Sequence, residues 1–341
     1  MRLFGLGKKK VFSPPKGKMM LKQLFHNRRF SFFGVGILSF VLLLAWGILL
    51  YFTPASLDVL PPAEAVVEDA STTKDADLIR VGISDDAMTE QSLASVIISA
   101  DVPFTLHTAE KAPILKSFQA GDALQLTPHH HTMKISVRTN GGTTFYPLTL
   151  ASVRETLWLK PLDSVCCLKL LNITRKGKTP QYRGAIQVVA DAQSKRLVVI
   201  NQLPLQDYLR AVVPNELPIR FGIEAVKAQA VAARNYALRP REKNWHRFDI
   251  CDSQLCQAYY GRQTETPETD AMLEQTEGQV LLYQGQIALA LYSSSHGGVS
   301  TNYHNAFSHP ATQAFPAPSL PYLQSVWDEA SVQAQFEDLS N

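Results

Sequence analysis

Glu216 lies in Val212-Val213-Pro214-Asn215-Glu216-Leu217-Pro218, a carboxylate bracketed by two prolines and by apolar neighbours. Prolines stiffen a loop, and apolar surroundings desolvate a carboxylate and raise its pKa, which suits it to act as a general acid. The same pattern also describes an exposed glutamate at a helix start. Arg234 follows within an Ala-rich run, where an arginine either snorkels outward, makes a structural ion pair, or offers five fixed donors to sugar oxygens and carboxylates. The stretch Tyr292-Ser293-Ser294-Ser295-His296-Gly297-Gly298 is a hydroxyl-rich turn whose glycines let backbone approach a ligand closely, a pattern fit for sugar hydroxyls. No nucleophile-elbow motif accompanies its Ser-His pair, which argues against a serine hydrolase. Cys251 and Cys256, with His246 nearby, are open to two states, a zinc site if a tetrahedral ligand set can be completed, or a disulfide outside the cytoplasm. Cys166-Cys167 read as buried side chains, and the His129-His130-His131 run as a solvated loop.

Elements must hold these groups. From residue 78 to about 200 the pattern favours short strands, at 79–83, 134–138, 185–190 and 197–200, with Asn140-Gly141-Gly142 as a hairpin turn. Beyond Gln202 the character changes. Residues 205–213 and 222–238 read as helices, the second with Ile223, Val226, Ala230, Ala233 and Ala237 on one apolar stripe. A third helix is predicted at 268–277, then two strands, 279–283 and 286–292, around a Gln284-Gly285 hairpin turn. Strands followed by helices point to an α+β fold, without repeats or a nucleotide-binding glycine loop. The expected order is a strand-rich subdomain at 78–180 and a helix-containing core at 181–341.

The charge is divided along the chain. Among 341 residues, 33 Lys+Arg face 30 Asp+Glu, a formal charge of +3. Nine of the basic residues and no acid fall in residues 1–29, so the remainder is net negative by six. Residues 30–52 (FSFFGVGILSFVLLLAWGILLYF) carry no charge, and a helix of that length, rising ~1.5 Å per residue, spans a hydrocarbon core ~30 Å thick. A cleaved signal peptide has a shorter apolar region, so a retained transmembrane helix is expected. The basic tail at 1–29 then lies in the cytoplasm, against anionic lipid, and the main domain outside. This accounts for the basic tail without nucleic acid. Residues 53–77, rich in Pro, Ala and acid, read as a disordered linker. The hydrophobic content, 45%, excludes wholesale disorder, and four Cys are too few for a disulfide scaffold.

Several long motifs recur in one order. They are Leu203-Pro204-Leu205-Gln206-Asp207-Tyr208-Leu209, Val213-Pro214-Asn215-Glu216-Leu217-Pro218, the Ala-rich segment 224–238, Asp249-Ile250-Cys251-Asp252, Cys256-Gln257, the Tyr292 stretch and Leu320-Pro321-Tyr322-Leu323. Together they closely resemble the SpoIID/LytB family, over residues 182–326. The resemblance implies an exported, membrane-anchored protein acting on peptidoglycan. It implies a lytic transglycosylase that cleaves glycan strands stripped of stem peptides, with Glu216 as catalytic acid and base and Arg234 as a functionally important arginine. No second acid of comparable context stands near Glu216 in the sequence, and ordinary glycosidases need one. His296 departs from the sporulation branch and resembles the LytB side, which implies the alternative of a non-catalytic amidase enhancer or glycan-binding module, with an amidase as partner. No cofactor is required. Some members bind a structural zinc through two Cys and two His. Here His246, Cys251 and Cys256 match, but Leu255 stands at the second His, so Asp249, Asp252 or a distant His would have to complete the set. A net-negative exported domain gains no bulk attraction to a polyanionic wall, so Arg234, Arg239, Arg241, Lys243 and Arg247 are the local groups expected to recognise it.

Overall fold

The computed structural model describes residues 66–69, 78–150, 155–239, 247–293, 298–309 and 312–327. The basic tail and the apolar run 30–52 lie outside the described residues. Among the described residues no helix is long and apolar enough to cross a membrane.

The architecture is mixed α+β, with two large sheets and few helices. The seven-stranded sheet runs, in spatial order, Ile250–Cys251, Leu78–Ile83, Arg196–Pro204, Ala185–Asp191, Thr156–Pro161, Phe104–His107 and Ile114–Phe118. All its pairings are antiparallel except the first, where Ile250 faces Val81 and Cys251 faces Gly82 in parallel. The six-stranded sheet runs Gln181–Tyr182, Leu168–Leu170, Val96–Ala100, Ala123–His129, Thr132–Arg138 and Tyr146–Pro147, antiparallel throughout. Four strands of the larger sheet come from before residue 180 and three from after it. Alternation sets their faces: in Ala185–Asp191 the side chains of Ile186, Val188 and Ala190 are buried and those between are half-buried. Ile98, Leu124 and Leu126 of one sheet and Val81, Leu106, Leu159 and Val199 of the other enter a single apolar core.

The α-helices among the described residues are α1 (Leu205–Arg210), α2 (Val213–Glu216), α3 (Ile223–Leu238), α4 (Pro267–Gln275) and α5 (Tyr303–Ala306). The helix expected at 205–213 is two pieces. The chain breaks at Ala211-Val212 and restarts at Val213, where Pro214, lacking an N–H, sits in the first turn and leaves no donor stranded. Glu216 is therefore the last residue of a one-turn helix, not a loop residue. In α3, Val226, Ala230, Ala233 and Ala237 are buried as the stripe predicts, but Ile223 is 53% exposed at the first turn. The Gln284-Gly285 hairpin forms, with φ of 52° and 73° at its two turn residues. Its second strand stops at Ile287 because the backbone beyond turns to other partners: Asn235 Nδ2 donates to Ala288 O, and Leu289 N donates to the Tyr322 hydroxyl. Within the stretch expected as linker, Val66–Asp69 is a strand paired antiparallel with Gln279–Tyr283. Consecutive valines favour an extended backbone, and that strand offers an edge to pair with.

Candidate active site

Pro214 and Pro218 fix the backbone around Glu216, and Val213 anchors the turn in the core. The Glu216 side chain is half-buried, and its Oε1 accepts a hydrogen bond of 2.6 Å from the backbone N–H of Ala258. Among the described residues no other donor is bonded to this carboxylate. Five other acids of the domain are committed to ion pairs: Glu265 to Arg183, Asp270 and Glu274 to Arg210, Asp252 to Arg175, and Asp249 to Arg80.

Tyr292 shares Glu216's surroundings. Burial first, and then the negative charge of Glu216, hold its hydroxyl well above the ordinary tyrosine range, so it carries its proton at neutral pH. Gln257 orients it. This amide is 1% exposed; its Nε2 donates to the Tyr292 hydroxyl at 2.9 Å and to Ala233 O at 3.1 Å, and its Oε1 accepts from the Tyr208 hydroxyl at 3.0 Å. Gln257 and Ala258 are successive residues, so one short segment positions both the phenol and the carboxylate.

That segment is anchored on both sides. Cys251 and Cys256 form a disulfide with a Cα–Cα distance of 5.6 Å, one of the two states left open by their spacing. With both sulfurs so joined and a leucine at position 255, the described residues do not fit a zinc ion, and among them no group of three or more His, Cys, Asp or Glu is arranged for a metal. His246 lies outside the described residues. Inside the disulfide loop, Asp252 is fully buried and bonds to Arg175 Nη2 at 2.7 Å, the Ser84 hydroxyl at 2.6 Å and Ser84 N at 3.1 Å. Phe248 packs on Gly82, where a Cβ would meet its ring at 2.6 Å, so only glycine admits this approach.

Arg234 is held within the packing of α3. It is 3% exposed, and its guanidinium donates to Gln279 O at 3.0 Å and Gln206 Oε1 at 3.1 Å. Burial pushes its pKa down to about 10, so it remains charged at neutral pH. Neither of these bonds goes to Glu216; they tie α3 to α1 and to the strand Gln279–Tyr283. Neighbouring Asn235 bonds to Leu281 O, Leu281 N and Ala288 O. Of the other basic groups, Arg239 stacks on Tyr236 and Arg247 pairs with Asp191, while Arg241 and Lys243 lie outside the described residues. So do Ser294, Ser295 and Gly297. Ser293 is exposed and Gly298 buried, with φ of 89°. Cys167 is buried and Cys166 half-buried, and His129, His130 and His131 form an exposed turn.

Residue-type reasoning passes over Gln257, the Ala258 N–H and Asn215. The Cys256-Gln257 pair stands out only as part of a motif, and a backbone donor leaves no mark in a sequence. Asn215 donates to Ala211 O at 2.7 Å and Thr264 Oγ1 at 2.8 Å, clamping the turn that carries Glu216.

These features define an α+β protein with a carboxylate held at the end of a proline-stiffened turn beside a protonated phenol. Residues 193–283 match the family model for stage II sporulation protein, SpoIID. The chain is similar to stage II sporulation protein D of Bacillus subtilis (strain 168), 31% identical over 152 residues, covering 39% of this chain and 41% of that protein. It is similar to the amidase enhancer of the same organism, 36% identical over 115 residues, 34% of this chain and 14% of that one. An uncharacterized protein of Brachyspira hyodysenteriae is 29% identical over 148 residues, 43% of this chain and 37% of its own length. The likeness to the SpoIID/LytB family is carried by this part of the chain, which spans less than half the length of each of these curated relatives.

Proposed function

We propose that this protein remodels the cell wall as a lytic transglycosylase acting on peptidoglycan glycan strands, with Glu216 as acid and then base. The observation that carries the reading is Glu216 itself, half-exposed on a proline-stiffened turn, outside any ion pair among the described residues, with Oε1 held by Ala258 N. In the first step the Glu216 carboxyl protonates the oxygen leaving the muramic acid anomeric carbon. In the second, the resulting carboxylate takes the proton of the C6 hydroxyl as that oxygen closes on the anomeric carbon, giving a 1,6-anhydro ring. One carboxyl group serves both steps, whereas hydrolysis uses a second one placed opposite. The Tyr292 hydroxyl is placed to donate to substrate oxygen. The segment 30–52 anchors the protein in the cytoplasmic membrane, with its amino terminus inside and this domain facing the wall.

A second reading makes the same fold a non-catalytic glycan-binding partner of an amidase. It is favoured by the 36% identity to the amidase enhancer and by the burial of Arg234 within the helix packing. Full-length protein in detergent, incubated with glycan strands freed of peptides, separates the two. The transglycosylase reading expects 1,6-anhydromuramic ends by mass spectrometry, reduced at least 1000-fold in order of magnitude by Glu216→Gln. If the wild type makes no such ends, or Glu216→Gln makes them equally fast, the enzyme reading fails.

A further inference from the structure

The turn between the strands Leu168–Leu170 and Gln181–Tyr182 is built with unusual rigidity for an exposed feature. Arg175 and Lys178 exchange backbone hydrogen bonds of 2.8 and 3.1 Å around Lys176-Gly177, whose φ values are 51° and 74°. This is the geometry of a tight two-residue hairpin turn, entered here by a lysine at the first position. Its base is pinned by the 2%-exposed Arg175 guanidinium, which bonds to Asp252, Ser84 O, Asp85 O and Thr174 O. A buried, multiply bonded arginine thus fixes a turn whose tip presents Lys176.

Lys176 Nζ donates to Asn215 Oδ1 at 2.8 Å and lies 5.1 Å from the centre of the Tyr260 ring. Asn215 precedes Glu216, and Tyr260 follows Ala258, the donor to Glu216, by two residues. The ammonium is therefore fixed by two uncharged groups, on the turn that carries Glu216 and on the segment that carries its donor. Among the described residues no carboxylate pairs with it. An ammonium has three donors, and the Asn215 bond uses one, so donors and a charge without a carboxylate partner among the described residues face the surface.

We propose that Lys176 recognises the lactyl carboxylate that muramic acid exposes when its stem peptide has been removed. This rests on the glycan-strand reading of Glu216. The sugars of such a strand are otherwise neutral. The lactyl carboxyl is an amide while a peptide is attached and an anion once it is stripped. The anomeric carbon served by Glu216 belongs to the same muramic residue, so a cation held on the residue that precedes Glu216 is a local partner for that anion. Lys176 would make this subsite selective for stripped strands.

The test is binding of stripped strands to full-length Glu216→Gln protein in detergent, before and after their carboxyl groups are amidated with methylamine. Amidation should weaken binding by roughly three- to tenfold, the range for a partly solvated charge-assisted contact, and less at high salt. In Glu216→Gln/Lys176→Met protein, amidation should make no difference, while Lys176→Arg should restore the sensitivity. Equal sensitivity with and without Lys176, no sensitivity in either, or no binding of stripped strands would overturn the proposal. The catalytic reading fails separately, by absence of anhydro ends from the wild type while the coupling between carboxylate and Lys176 persists.

Discussion

Tyr292 accepts its hydrogen bond from Gln257 Nε2, so its own proton remains available to a bound ligand. Burial and the Glu216 charge keep that proton in place across the neutral range. Tyr292→Phe removes this donor while leaving Gln257 Nε2 its bond to Ala233 O. Formation of anhydro ends should slow by roughly 10- to 100-fold, the loss of one hydrogen bond in a transition state, with unfolding free energy changed by less than about 1 kcal/mol. An unchanged cleavage rate would remove Tyr292 from the site. Glu216 and Tyr292 both stand out in the sequence, the one for its prolines, the other for the serines and glycines that follow. Their meeting does not, because it depends on Gln257 and Ala258, which are brought between them only by the folded chain. Lys176 is still less legible, a lysine in a strand-rich segment whose relation to Asn215 is purely tertiary.

Local pattern dictates some of the elements around the site and distant contacts dictate others. Strands at 79–83, 134–138, 185–190 and 197–200 follow from local pattern, as does α3 from its Ala-rich stripe. The early stop of the strand at Ile287 does not, since it is imposed by Asn235 and Tyr322 from distant segments. Arg234 belongs to the same class: its type invites a substrate role, and its two bonds to Gln279 O and Gln206 Oε1, made across distant segments, are not legible in the sequence. Arg234→Lys keeps the charge but cannot span both acceptors with a planar fork. It should cost about 1–3 kcal/mol in urea unfolding while leaving the KM for glycan strands within about twofold. A KM raised several-fold with unchanged stability would instead return Arg234 to the substrate.

Across the whole molecule, buried tyrosines join the two sheets to the site. Tyr182 in the six-stranded sheet packs against Tyr259 with ring centres 5.8 Å apart, and Tyr259 against Tyr208 of α1 at 5.0 Å. The Tyr259 hydroxyl donates to Asn201 Oδ1 in the seven-stranded sheet at 2.6 Å, and Tyr208 reaches Gln257. The core that unites the sheets is therefore continuous with the groups that orient Tyr292. Burial is the leading cause that holds Tyr182, Tyr259 and Tyr292 above their ordinary value of 10. In the unfolded chain these phenols ionise near pH 10, while the folded chain keeps them protonated. Their contribution to stability is thus fully present below pH 10 and is lost as pH rises above it. Each should subtract ~1.4 kcal/mol of unfolding free energy per pH unit in that window. Tyr182 isolates one of these contributions, because its buried hydroxyl has no hydrogen-bond partner among the described residues. Tyr182→Phe leaves the ring packing and removes the ionisable group. Urea unfolding of the variant should match or exceed wild-type stability at pH 7 and fall less steeply between pH 10 and 11.5. Parallel slopes for the two proteins would show that the Tyr182 phenol does not link the fold to alkaline pH.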